Sequence, residues 1–250
     1  MDTGTSGSRC QTTGKQPGGC PMRAMILAAG LGTRMRPLTE NLPKPLLQAG
    51  DKSLIEHIID ALKRAGVTEL VINHAWHGDK LEQFLGDGSG FGVSIHYSPE
   101  GSPLETAGGI KKALPLLDDG ADSPFVVVNG DIWSNYNFSG LVNRPLSSED
   151  LAHLVLVDNP SHNQTGDFQL GDGERVLPRG PSKLTFSGIG VYRPSLFTGV
   201  PNGVYPLAPV LRAAITKGKV SGERFNGLWF DIGTPDRLQW LDEQLTKAAF

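Results

Sequence analysis

The sequence predicts an α/β fold: Rossmann-like, with a mostly parallel mixed sheet and helices on both faces. Three observations predict it. Short apolar runs ending in Gly, Asn or Asp alternate with capped amphipathic segments from Met22 onward. Loops rich in Gly and Pro follow the runs, where open α/β sheets hold ligands. The second half becomes strand-rich around tight glycine turns.

Ala24 to Gly30 reads as the first buried strand, short and apolar and closed by Gly. Ser53 to Ala65 reads as a helix. Ser53 and Glu56 form a capping box, Gly66 ends it, and Leu54, Ile55, Ile58, Ile59 and Leu62 make its apolar stripe. Strands follow at Glu69–Asn73, Val93–Tyr97 and Pro124–Asn129, with helices at Asp79–Leu85 and Thr106–Leu114. In the second half, Leu151–Asp158 reads as an alternating, half-buried strand. Gly166–Val176 reads as a hairpin around Gly171-Asp172-Gly173, its "DGERV" charges forming a solvated turn. Leu184–Arg193 and Leu228–Ile232 complete the strands. Helices at Pro206–Lys217 and, capped by Thr234, at Pro235–Lys247 complete the pattern. Gly30, His74, Ser98 and Asp131 fall at or just past strand ends, so function is expected there.

Composition narrows the classes. Of 250 residues, 38% are apolar, which suffices for a core, and no run approaches the ~20 apolar residues of a membrane span. A formal charge of -3 argues against nucleic-acid binding through bulk charge. Both cysteines, Cys10 and Cys20, lie in the first 21 residues, which fits a reducing, cytoplasmic setting. Residues 1–21, rich in Gly, Ser and Thr, read as a disordered leader or expression extension without the apolar segment of a secretory signal. Within them, Thr13-Gly14-Lys15-Gln16 lacks the Ser or Thr and the earlier Gly that a P-loop needs. Residues 22–250 are expected to form one domain, 22–131 as a nucleotide half and 132–250 as a second-ligand half.

The stretch "GLGTRMRPLTENLPKPL", residues 30–46, carries the most chemistry. Gly30 and Gly32 permit a tight turn and close approach to a ligand, and backbone N–H groups in such loops cradle phosphate oxygens. Arg34 can fork onto a phosphate and Lys44 can add a point charge. Pro37, Pro43 and Pro45 reduce the entropy lost on binding. A dinucleotide fingerprint fits poorly, because Met35 stands where its third Gly belongs and no acidic ribose reader follows. Asp131 in "VVVNGD" and Asp231 in "WFDIGTP" are either turn caps or a divalent-metal pair, and Mg²⁺ prefers one or two carboxylates beside substrate phosphates. His74 and His77 have helix-like spacing but no third ligand, and read as hydrogen-bonded or exposed rather than metal-binding.

"LAAGLGTRMRPLTENLPKPLL" resembles the signature of the sugar-1-phosphate nucleotidyltransferases, G-x-G-T-R-x-x-P-x-T followed by P-K-P, and the resemblance covers Met22 to Phe250. It implies a GT-A-like nucleotide-diphospho-sugar transferase fold. It also implies a catalytic set of Arg34, Lys44 and Asp131, with Mg²⁺ held by Asp131 and Asp231. The loop residues Leu27, Ala28, Ala29, Gly30, Gly32 and Thr33 would hold the nucleotide. "SPEGSPLETAGGI" resembles the base-reading loop, which adds Glu100, Thr106 and Gly108. "LTFSGIGVYRP" resembles the sugar-binding wall, with Ser187 and Gly188 as contacts and Asn129 joining them; Trp133 is expected near the sugar.

Relatives carry Glu-Lys-Pro before that wall, with the lysine on the sugar phosphate. This chain has "PRGPSKL", which leaves Arg179 or Lys183, or neither, in that role. "VINHAW", "HLVLVDNP" and "GKVSGE" extend the resemblance to bacterial uridylyltransferases acting on N-acetylmuramate 1-phosphate in peptidoglycan sugar recycling. It implies UTP and that sugar phosphate as substrates, with no nucleic acid or membrane partner, in a monomer or small homo-oligomer. Mannose 1-phosphate with GTP, glucose 1-phosphate with dTTP or UTP, and a non-catalytic nucleotide-sugar-binding subunit are the alternatives.

Overall fold

The computed structural model describes residues 22–247; the expected leader and its two cysteines lie outside the described residues. In chain order, β1 (Arg23–Ala28) runs into the glycine-rich loop, which contains 3-10 turns at Thr33–Met35 and Lys44–Leu46. A small hairpin follows, β2 (Gln48–Ala49) and β3 (Lys52–Ser53), then α1 (Leu54–Arg64), β4 (Glu69–His74), α2 (Gly78–Leu85) and β5 (Ser94–Pro99). Next come α3 (Glu105–Leu117), β6 (Phe125–Asn129), β7 (Ile132–Ser134) and α4 (Phe138–Val142). The second half contains β8 (Ala152–Val157), β9 (Phe168–Leu170), β10 (Val176–Leu177) and β11 (Lys183–Tyr192). It closes with α5 (Leu207–Thr216), β12 (Val220–Arg224), β13 (Trp229–Asp231) and α6 (Pro235–Thr246).

Nine strands form the main sheet. β5, β4, β1 and β6 are parallel neighbours, as the alternating pattern predicts. The strand order reverses after β5, when the chain crosses to β6 on the other side of β1, and a crevice opens above that switch point. β11 runs antiparallel to both β6 and β8, and β12 joins β8 in parallel. A separate two-stranded ladder pairs β7 with β13.

The side chains of β1 divide between two cores. Ala24, Ile26 and Ala28 pack with the buried faces of α1, α2 and α4, whereas Met25 faces α3 and α5. A third cluster joins Met35 of the glycine-rich loop and Leu47 to Trp133, Ile232, Leu238 and Leu241. This cluster ties the loop to β7, β13 and α6; Asp131 immediately precedes β7 and Asp231 ends β13. α1 starts as expected: the Glu56 carboxylate accepts the Ser53 N–H at 2.8 Å and the Ser53 hydroxyl at 2.6 Å.

Several expectations are corrected. β8 does not alternate; all six residues are buried, because β11 and β12 flank it and helices cover both faces. α3 runs on to Leu117, with Pro115 tolerated in its last turn. Thr234 precedes α6 at the N-cap but makes no side-chain capping bond. The turn at 172–175 is not merely solvated: Arg175 forks onto buried Asp150 at 2.5 and 2.7 Å, and Glu174 pairs with Arg144. Trp133 is 8% exposed and stacks on Phe230 within the third cluster.

Candidate active site

The glycine-rich loop is braced from within. Gly32 has φ +64°, and a Cβ there would lie 3.0 Å from Thr39 Cγ2, so glycine suits the position twice over. The buried Thr39 hydroxyl donates to the Gly32 carbonyl at 2.7 Å. Thr33 and Arg34 lie on the exposed 3-10 turn while Met35 beside them plugs the core. Further on, Pro43 and Pro45 flank Lys44, and Leu46 and Leu47 anchor that turn. Lys44 is consequently fixed and 9% exposed, with its Nζ 2.6 Å from Asp131 Oδ2.

The two aspartates flank one end of the β7–β13 ladder. Asp231 pairs in register with Ile132, and the Ile232 N–H donates to the Asp131 carbonyl at 2.8 Å. Asp231 is not bare: its Oδ2 lies 2.6 Å from Arg237 Nη1 and 3.1 Å from His162 Nε2. Arg34 converges on the same place, since a Cβ on Gly233 would be 3.5 Å from both Arg34 Nη1 and Asp231 Oδ2. Arg34, Lys44, Asp131 and Asp231 are therefore gathered as the sequence predicts, and Arg237 and His162 join them.

Two cavities flank this centre. One, of about 340 Å³, opens past β1 and is lined by Leu27, Ala29, Gly30, Asn73, Glu100, Pro103, Glu105, Thr106 and Val204. Five of these were expected nucleotide residues: Leu27, Ala29, Gly30, Glu100 and Thr106. Glu105 adopts φ +61°, a strained conformation for a residue with a Cβ, at the entry to α3. Ala28 acts through its N–H, which donates to Asn73 Oδ1 at 2.9 Å. Gly108 does not line the cavity. It packs under the 203–205 segment, where a Cβ would be 2.1 Å from the Gly203 carbonyl oxygen, and its N–H donates to the Tyr205 carbonyl. The second cavity, of about 390 Å³, is lined by His162, Asp231, Asp236 and Arg237 and walled by Trp229, Phe230 and Trp240.

The sugar-side expectations fare less evenly. Gly188 has φ +80°, and a Cβ there would be 2.5 Å from Asn129 Nδ2, so the two residues meet at the bulge of β11. The Ser187 hydroxyl is spent inside the sheet, donating to the Val155 carbonyl at 2.7 Å and accepting the Ile189 N–H at 3.1 Å. Lys183 Nζ donates to the Gly166 carbonyl at 3.0 Å and Arg179 is exposed; neither lines either cavity. His74 bonds Glu82 at 2.6 Å and His77 bonds the Glu40 carbonyl at 2.8 Å, so they share no ligand. No group of three or more metal-binding side chains occurs among the described residues. Sequence reading missed Asn73, Glu105, His162 and Arg237. Only Asn73, a polar residue ending the apolar run "ELVIN", carried a local signal.

Such a crevice, beside a braced basic loop and two aspartates at one end of the β7–β13 ladder, defines an α/β enzyme of the nucleotidyltransferase class. The nucleotidyl transferase family model matches residues 23–248, and the chain belongs to that family as a sugar-1-phosphate nucleotidyltransferase. It is 52% identical over 224 residues to N-acetylmuramate alpha-1-phosphate uridylyltransferase of Neisseria meningitidis serogroup B, covering 87% of this chain and 96% of that protein. The protein of the same description from Caulobacter vibrioides is 34% identical, over 91% of this chain and 98% of its own length. The crystal structure of HddC from Yersinia pseudotuberculosis complexed with GMP-PN superposes with a TM-score of 0.74 at 20% identity. It covers 89% of this chain and 99% of that one, and shows the shared fold. No helix among the described residues is long and apolar enough to cross a membrane.

Proposed function

We propose that this enzyme transfers UMP from UTP to N-acetylmuramate 1-phosphate, forming UDP-N-acetylmuramate and pyrophosphate and returning a cell-wall sugar to use. The 52% identity spanning nearly the whole Neisseria protein carries this reading. A phosphate oxygen of the sugar phosphate attacks the α-phosphorus of UTP, and the bond to the bridging oxygen of pyrophosphate breaks. The attacking oxygen is already ionised at neutral pH, so no protein base is needed, and positioning with charge neutralisation supplies the catalysis.

Lys44 and Arg34 face the leaving pyrophosphate in this reading. Lys44 has three donors, so it can keep Asp131 and still reach a phosphate oxygen. Two half-buried carboxylates beside a triphosphate suit Mg²⁺, which would be held by Asp131 and Asp231 and would neutralise triphosphate charge when bound. Arg237 and His162 border the second cavity and take the sugar-phosphate role for which "PRGPSKL" offers no fitting lysine. Incubation with UTP, N-acetylmuramate 1-phosphate and Mg²⁺ should yield one nucleotide sugar of the expected mass with equimolar pyrophosphate, and chelation should stop it. Product formation at an undiminished rate under chelation would remove the metal from the scheme.

A further inference from the structure

We propose that Asn73 is a positioning residue for base selection: it holds the Glu100 carboxylate as a pure hydrogen-bond acceptor facing the nucleotide cavity, so the enzyme selects bases that present a ring N–H. This rests on the reading that the cavity past β1 holds the base. Asn73 is 3% exposed, and both ends of its side-chain amide are engaged. Its Oδ1 accepts the Ala28 N–H at 2.9 Å, which fixes its orientation: the other end must be the NH₂. That NH₂ donates to Glu100 Oε1 at 2.6 Å. Glu100 Oε2 accepts the Leu104 N–H at 2.8 Å. One side chain thus ties the end of β1, the end of β4 and the segment entering α3 around a single carboxylate.

The space beneath is reserved for this arrangement. A Cβ on Gly109 would be 2.4 Å from Glu100 Oε1 and 2.8 Å from Asn73 Nδ2, so glycine is what lets the pair lie against α3. Both Glu100 oxygens already take a donor, and each keeps a lone pair; Glu100 is 8% exposed and lines the cavity. A carboxylate held this way can accept a hydrogen bond from a base and cannot offer one. Uracil and thymine present N3–H, and guanine presents N1–H. Cytosine and adenine present a bare ring nitrogen at the equivalent position, which would set two acceptors against each other in a partly desolvated site. The ring N–H alone does not separate uracil from guanine.

Asn73→Asp tests this with the least change of shape. It keeps the acceptor for Ala28 and replaces the fixed N–H donor to Glu100; the two carboxyls must then share a proton, which Glu100 can carry and offer to a base. The readouts are kcat/KM for UTP and CTP and the equilibrium dissociation constants of both without sugar phosphate. The expected result is a UTP-to-CTP preference reduced by about tenfold or more, with KM for the sugar phosphate unchanged. Glu100→Gln, which can donate to cytosine N3, should narrow the preference in the same direction by improving CTP. Equal losses for UTP and CTP in Asn73→Asp, as a merely structural residue would give, overturn the proposal. So does an unchanged ratio. If the unaltered enzyme prefers GTP or dTTP, the uridylyl reading fails while the same ratios against CTP still test Asn73. A native preference for CTP or ATP overturns the inference itself.

Discussion

In the proposed reaction, Lys44 and Asp131 are the single residues on which most depends. The loop prolines and two buried leucines hold the Lys44 ammonium against one carboxylate, 2.6 Å away, rather than leaving it free in solvent. Lys44→Met should therefore lower kcat by about 10²–10³ in a steady-state assay while the protein stays folded, the loss typical of removing one preorganised charge partner. Asp131 and Lys44 were legible in the sequence because each stands at an abrupt change, a carboxylate ending an apolar strand and a cation between prolines. Ser187 was misread for the opposite reason. A hydroxyl within a strand gives no sign of which way it bonds, and here Val155 takes it. Gly188 was legible as a residue but not as a cause. Its φ of +80° and its contact with Asn129 predict that Gly188→Ala destabilises the enzyme by about 1–2 kcal/mol in urea titration and displaces the Asn129 side chain.

At the level of elements, the turn from β4 into α2 clamps the glycine-rich loop. Three side chains from that turn hold three consecutive loop carbonyls: Trp76 Nε1 donates to Thr39 at 3.0 Å, His77 Nε2 bonds Glu40 at 2.8 Å, and Lys80 Nζ donates to Asn41 at 2.5 Å. His74 and His77 read as hydrogen-bonded or exposed rather than metal-binding, and both are hydrogen-bonded; that Trp76 and His77 reach backbone about 37 residues away in sequence is what no local pattern reveals. Trp76→Ala should raise KM for the nucleotide several-fold and hasten proteolysis within residues 36–42, with kcat changed little. Local signals did fix the start of α1. Glu56→Ala should cost about 1 kcal/mol in urea unfolding, because one carboxylate accepts both the Ser53 N–H and the Ser53 hydroxyl. β8 was harder to read, since its burial depends on β11 and β12, which come later in the chain.

For the whole molecule, the alternation of strands and helices was sufficient to predict the parallel half, and the crossing from β5 to β6 then placed the crevice. The pairings of β8, β11 and β12 needed the structure. They also place an ion pair, buried Asp150 with partly exposed Arg175, at the opposite end of the sheet from the crevice. Burial raises the Asp150 carboxyl, but the Arg175 fork more than offsets this and holds it below its ordinary value. A depressed carboxyl contributes stability that is complete above the unfolded value near pH ~4 and is lost as pH falls through the folded one. Asp150→Asn should accordingly flatten the acid limb of a stability-against-pH curve below about pH 5. The proposed reaction stands on its two substrates, and a competition experiment identifies both at once. The enzyme, Mg²⁺ and all four ribonucleoside triphosphates together would be offered N-acetylmuramate 1-phosphate, N-acetylglucosamine 1-phosphate, mannose 1-phosphate and glucose 1-phosphate in separate reactions. Mass spectrometry would then identify the nucleotide sugar formed. UDP-N-acetylmuramate is the expected dominant product across the set. Dominant formation of a guanosine-linked sugar, or of a uridine-linked sugar other than N-acetylmuramate, would contradict the proposed reaction.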